Sequence, residues 1–169
     1  MIRSSSAIGK TIAPNWEERM ETNYKPATHP AVVPYLVVAD ADRELAFMKE
    51  VLGATEIRMS RDPQGHVGHA ELGIGGAMVM LGQASEQWPP SPAVIYVYIP
   101  DVDAGYKRAL AAGANSIWEP ADQRYGDRNA GVRTTNGVQW WIATHREDVS
   151  EEEAERRSAE AAKLTPASA

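Results

Sequence analysis

The chain repeats itself once. Asp40 and Asp42 recur as Asp101 and Asp103, Gly53-Ala54 as Gly113-Ala114, Ile57 as Ile117, and the run Met78 to Leu81 as Trp140 to Ala143. A period near 61 residues that occurs only twice means paired modules, because a solenoid needs three or more stacked units. Any fold for this chain must therefore place two similar halves side by side.

Each half reads as βαβββ. In the first, Val33 to Ala39 is a dense apolar run that predicts a buried strand. Asp42 is placed to cap a helix from Arg43 to Leu52, with Leu45, Ala46, Met48 and Leu52 on its inner face, Lys49 at the edge of that face and Gly53 as its stop. Strands at Thr55 to Ser60, His66 to Ile74 and Ala77 to Gly82 follow, parted by the turn Asp62-Pro63-Gln64-Gly65 and the hairpin Gly75-Gly76. The second half starts with a strand at Ala93 to Ile99 and a helix capped by Asp101 or Asp103 and running through Ala112. Its remaining strands fall at Asn115 to Trp118, Gly131 to Thr134 and Val138 to Thr144. The fold class is α+β.

Stiff or polar segments set the boundaries. Residues 1–30 are polar, are broken by Pro14, Pro26 and Pro30, and read as an arm in which Trp16 and Met20 suit one short helical turn. Trp88-Pro89-Pro90-Ser91-Pro92 cannot continue a sheet and separates module one (31–87) from module two (93–147) within a single domain spanning 31–147. Residues 148–169 form a solvated helix that opens on a Ser150-Glu153 capping box, carries the pairs Glu152–Arg156 and Glu153–Arg157, and frays from Thr165.

Composition removes several classes of function. The net charge of −6, with no Lys/Arg cluster, argues against nucleic acid as a partner. No run of about 18 apolar residues exists, so no helix is expected to enter a membrane. With no cysteine there are no disulfides or thiolate metal sites, which suits a cytoplasmic setting.

Several stretches carry a family likeness. They are Val33-Pro34-Tyr35-Leu36-Val37-Val38 with Asp40, His69-Ala70-Glu71-Leu72 leading to Met78 to Leu81, Tyr125-Gly126-Asp127-Arg128, and Trp140-Trp141-Ile142-Ala143-Thr144-His145. Over residues 24–157 the chain resembles the vicinal oxygen chelate superfamily of glyoxalases, bleomycin-resistance proteins and dioxygenases, most closely its PhnB-like branch. The resemblance implies that two curved sheets form a ligand-holding cup, and that the protein is a homodimer with the arm and the Trp88 linker as candidate contacts. It also implies four metal-ligand positions, which map here onto Val33, Met80, Val94 and Trp141. None of these supplies a donor suited to a hard divalent cation, so the expectation is no metal and no cofactor.

Strand parity then assigns the cup. If Val33 faces it, so do Tyr35 and Val37; Tyr96 and Tyr98 go with Val94, Met78 with Met80, and Gln139 and Ala143 with Trp141. Tyr35, Met78, Met80, Tyr96, Tyr98 and Trp141 are the expected ligand contacts, and they would suit a flat or cationic organic small molecule. Core filling is the competing role for these residues. His69 and Glu71 share a strand face and are the candidate catalytic pair. They can trade a proton, anchor a cationic group, or ligate a relocated metal with His66 or His145. A rim ion pair is the structural alternative. Arg128, in a loop before the seventh strand, can clamp a ligand anion or pair with an acidic neighbour.

Three functions follow. The first is a metal-independent small-molecule binding protein with an apolar cup. The second is a lyase, isomerase or dioxygenase-like enzyme using His69 and Glu71. The third is an interaction module whose cup is filled by its own side chains.

Overall fold

Alternation of apolar and polar side chains in eight short segments, each half carrying one amphipathic helix, builds the expected βαβββ-βαβββ order. The computed structural model of the chain describes residues 25–91 and 93–164. The Trp16–Met20 turn and the fraying from Thr165 fall outside them. Met1–Ala31 is a unit of its own; within its described part the His29 amide donates to the Pro26 carbonyl at 3.1 Å.

Module one comprises β1 (Tyr35–Val38), α1 (Ala41–Leu52), β2 (Thr55–Arg61), β3 (Val67–Ile74) and β4 (Ala77–Gln83). Module two comprises β5 (Val94–Tyr98), α2 (Val102–Ala111), β6 (Asn115–Asp122), β7 (Asp127–Arg133) and β8 (Gln139–His145), followed by α3 (Glu151–Leu164). The two sheets have the same order, β1-β4-β3-β2 and β5-β8-β7-β6. In each, only the first strand runs parallel to its neighbour.

Local chemistry corrects three expectations. Asp40, not Asp42, caps α1, its Oδ1 accepting from the Arg43 amide at 3.0 Å. Asp42 lies inside the first turn, where a carboxylate suits the positive helix end, and binds Arg61 at 2.7 Å. The buried face of α1 is Ala41, Glu44, Leu45, Phe47, Met48, Val51 and Leu52, while Ala46 and Lys49 are exposed. β7 begins at Asp127, four residues before the expected Gly131, and β6 runs through Pro120 to Asp122. Proline is tolerated there because β6 is an edge strand whose register slips between Trp118 and Ala121.

One face of each sheet packs on its helix. Leu36, Val38, Ala70, Leu72 and Leu81 line the first inner face, and Ala130, Val132, Trp140 and Ile142 the second, all essentially inaccessible. Full burial of a large aliphatic side chain is worth roughly 1.5–3 kcal/mol, so this continuous core is the main favourable term.

The modules meet along α1 and α2. A polar joint fixes the contact. Glu44 is 1% exposed. It accepts from Trp140 Nε1 at 3.0 Å, Thr134 Oγ1 at 2.8 Å and Asn136 Nδ2 at 3.0 Å. Asn136 also exchanges hydrogen bonds with the Asp40 backbone at 2.9 and 2.8 Å. Only this partnership makes a buried carboxylate tolerable.

Candidate functional site

The outer face of each sheet is open. Side chains opposite the helices alternate along β1, β3 and β4 as Tyr35/Val37, His69/Glu71 and Met78/Met80. In module two they are Val94/Tyr96/Tyr98, Asn129/Gly131 and Gln139/Trp141/Ala143. The parity argument thus places Tyr35, Tyr96, Tyr98, Trp141, His69 and Glu71 on open faces. Tyr35, Tyr96 and Tyr98 are 47%, 44% and 57% exposed, so neither face is covered. Met80 and Trp141 are half-buried, and Met78 is buried, with little surface left for a ligand.

In module one a three-residue chain runs inward. Tyr35 Oη lies 3.3 Å from His69 Nδ1, and His69 Nε2 lies 3.3 Å from Glu71 Oε1. The Tyr35 and His69 rings lie 5.6 Å apart, tilted by 32°. Glu71 is buried, at 4% exposure. Beside this chain lies a cavity of about 740 Å³, with Tyr35, Val37, Gly68, Gly82, Trp88 and Pro89 in its walls. Gly82 leaves room for the phenol, since a Cβ there would sit 2.7 Å from Tyr35 Oη.

Module two carries a denser network. Asp127, 4% exposed, accepts from Tyr98 Oη at 2.7 Å, Tyr96 Oη at 3.4 Å and His145 Nδ1 at 2.9 Å. His145 Nε2 reaches Asp148 at 3.2 Å. Asn129 donates to Tyr125 Oη at 2.9 Å and Tyr96 Oη at 3.4 Å, and accepts from Gln123 at 2.9 Å. The Tyr96 and Tyr98 rings meet edge to face, 5.4 Å apart.

The electrostatics follow. Burial pushes the Asp127 carboxyl up, but the hydrogen bonds from Tyr98 and His145 outweigh it and hold the acid below the usual carboxylate range. The Tyr98 phenol is raised by its bond to Asp127 and then by burial. Tyr96 is raised chiefly by burial. His145 is raised by its bonds to Asp127 and Asp148. The site is therefore a set of protonated phenols around one fixed negative charge.

The halves keep a trace of their repeat. Tyr35 meets His69 where Tyr96 meets Asn129. Module one has an ionisable side chain at the position where module two has an amide.

Some expectations need correction. Arg128 is not in a loop, and of its two expected roles the pairing with acidic neighbours is the one seen. It lies within β7 with its neighbours Asp127 and Asn129 pointing the other way, and alternation turns it toward Asp103, at 2.8 Å from both Nε and Nη2. Its Nη1 reaches Asp122 at 3.1 Å. The cleft of about 490 Å³ beside it also holds Arg157, which is committed to Glu147 and Glu153. Nor are the open faces dry and apolar, because Glu71, His69, Asp127 and Asn129 contribute to them. Asp127 and Asn129 escaped the sequence reading because β7 was expected to start at Gly131. Their alternation with Gly131 was the available signal.

The four cation positions of the resemblance do not fit a metal. Val33 and Val94 are hydrocarbon, Met80 a thioether, and the Trp141 indole N–H only donates. Among the described residues no group of three or more His, Cys, Asp or Glu side chains gathers to hold an ion.

Comparison with known proteins agrees with this architecture. The family model described as the Glyoxalase/Bleomycin resistance protein/Dioxygenase superfamily matches residues 28–142. The uncharacterized protein Rv0887c of Mycobacterium tuberculosis is 34% identical over 135 residues, covering 73% of this chain and 79% of its own. The crystal structure of TioX from Micromonospora sp. ML1 aligns with a TM-score of 0.58 at 28% identity, over 68% of this chain and 97% of its own. FosX from Listeria monocytogenes, a fosfomycin resistance protein solved with Mn(II) and sulfate, aligns at 0.53 and 20% identity, over 76% of this chain and 97% of its own. At that identity the FosX likeness shows the fold alone.

Proposed function

Because the chain belongs to the glyoxalase/bleomycin-resistance/dioxygenase superfamily, we propose that it binds an organic small molecule on its open sheet faces without a metal ion. The observation that carries this reading is the pairing of half-exposed aromatic side chains with buried carboxylates that hold them in place. Tyr96, Tyr98 and Trp141 offer flat surfaces for stacking, and Tyr35 with Trp88 offers a second set. Asp127 and the His69–Glu71 pair fix the hydroxyl groups around them. The donor-poor positions Val33, Met80, Val94 and Trp141 support metal independence.

The proposal includes a homodimer. Val94, Trp118 and Ile57 are also more than half exposed, and a second copy laid on these faces would turn each into a closed cup wall. It also includes a cytoplasmic setting, in keeping with a chain free of cysteine and with no described helix long and apolar enough to cross a membrane.

The test is direct. Chelator-treated protein is titrated with a panel of flat aromatic compounds, followed by tryptophan fluorescence and thermal melting. Saturable binding that added Zn²⁺ or Mn²⁺ leaves unchanged is the expected result. Binding that appears only with the cation would refute metal independence. Light scattering should give a mass near twice that of the chain.

A second reading rests on the Tyr35–His69–Glu71 chain beside the 740 Å³ cavity. Such a chain could move a proton to or from a bound molecule, making the protein an acid–base enzyme. Under this reading, His69→Gln would abolish turnover of a substrate and spare its binding.

A further inference from the structure

The direction of the hydrogen bonds on the two faces decides what a ligand must offer. A carboxylate only accepts, so in each module it dictates which way every proton upstream points. In module two the order is short. Asp127 Oδ2 takes the Tyr98 hydroxyl proton at 2.7 Å, which leaves only lone pairs on the Tyr98 oxygen for anything outside.

Module one reaches the same result through a relay. Glu71 Oε1, as a carboxylate, requires a proton on His69 Nε2, 3.3 Å away. In the neutral tautomer with its proton on Nε2, which the proposal takes as its premise, Nδ1 is bare and accepts from Tyr35 Oη at 3.3 Å. The Tyr35 proton is spent inward, and its oxygen too is left with lone pairs beside the cavity.

The half-buried Trp141 indole N–H on the second face only donates, so the acceptor positions are the Tyr98 and Tyr35 oxygens. Tyr96 is engaged within the protein by Asp127 and Asn129. Of the arginines lining the cleft of the second module, Arg128 and Arg157 are tied to carboxylates and Arg146 lies 3.8 Å from Asp103.

We infer that the site selects aromatic molecules bearing N–H donors, above all protonated nitrogen aromatics, and discriminates against carboxylates and phosphonates. The inference rests on the binding reading above and adds the ligand class. Two independent carboxylates, on different modules, set the same outward polarity, and each lies at 4% exposure where its charge is poorly screened. The raised Tyr98 phenol and depressed Asp127 acid agree with the proton residing on oxygen Oη.

Two probes of nearly equal ring area test it: proflavine, a cationic diaminoacridine, and acridine-9-carboxylate. Binding of each to the whole chain is measured by calorimetry at low salt and at high salt, which strips long-range attraction. Proflavine should bind at least ten-fold more tightly in both. Tyr98→Phe and Tyr35→Phe should each weaken proflavine about three- to ten-fold and leave the carboxylate unchanged, the scale of one lost hydrogen bond. Both variants preserve net charge, so a mere charge effect predicts no change, and thermal melts check that they fold. Equal affinity for the two probes, or proflavine binding indifferent to both substitutions, would overturn the donor rule while leaving the binding reading intact. If neither probe binds, the binding reading fails and the inference falls with it.

Discussion

The joint between the modules makes a sharp prediction about Glu44. This carboxylate accepts three hydrogen bonds from module two and is 1% exposed. Glu44→Ala would leave the Trp140 indole N–H and the Thr134 hydroxyl buried without their acceptor. Each stranded donor costs roughly 1–3 kcal/mol, and removing one partner of a buried charged network typically costs about 3–5 kcal/mol in all. For a chain of this size that corresponds to a fall in Tm of roughly 6–20 °C. Glu44→Gln keeps the shape and one acceptor for Trp140. The Thr134 hydroxyl can turn to accept from the new amide, but Asn136 Nδ2 then faces another donor, so the loss should be about 1–2 kcal/mol. Urea unfolding followed by far-ultraviolet circular dichroism is the assay, since it reads every variant of the cycle alike. A double cycle with Trp140→Phe should return about 1–3 kcal/mol of coupling. If Glu44→Ala lowers stability by less than about 1 kcal/mol, the joint is not what holds the modules in register.

Other outcomes follow from the second network. The folded-state pKa of His145 is raised, so its stabilisation is complete below the ordinary value near 6.5 and fades as pH rises through the higher folded value. Melting scans should therefore show stability declining above neutrality, and His145→Gln should flatten that slope. Asp127→Ala should destabilise by about 1–3 kcal/mol and lower the Tyr98 pKa, read by ultraviolet titration of the phenols. Gly126 has φ +98, and a Cβ there would overlap the Glu147 carbonyl. Gly126→Ala should cost more than about 2 kcal/mol in chemical denaturation, with a loss within error contradicting the geometry. Gly82→Ala should displace the Tyr35 hydroxyl and weaken probe binding with little change in Tm.

The fold was legible because its determinants are local and doubled. Asp101 and Gly53 punctuate the helices, and the apolar runs around Leu36, Leu72 and Ile142 mark buried strands. The doubling let each half corroborate the other. Strand parity also assigns Tyr35, His69, Glu71, Tyr96, Tyr98 and Trp141 to one face of their sheets, and the register sets them opposite the helices. β7 was misread for a physical reason. Asp127-Arg128-Asn129 has low strand propensity and no apolar alternation, since both faces of that end are polar: one joins the phenols, the other meets Asp103. Tertiary partners, not propensity, make it a strand. The same mistake hid Asp127 and set Arg128 in a loop. Glu44 escaped because it follows Asp42 and Arg43 and so reads as part of a solvated first helical turn. Its donors lie 90 or more residues away in sequence.

That joint also bears on how a doubled chain can change. Sheet register pairs Tyr35 with Met80 as it pairs Tyr96 with Trp141, so Trp140 matches Val79, one residue off the sequence match with Met78; at the same spacing of 61, Glu44 matches Gly105 and Asn136 matches Gly75. A tandem of two first modules would press the acid against Val79 and Gly75, which have nothing to donate. A tandem of two second modules would aim the indole at Gly105, which has nothing to accept. Descendants of one ancestral half have become plug and socket, so neither can be exchanged for a copy of its sibling, and recombination that reshuffles the halves should yield chains that do not fold.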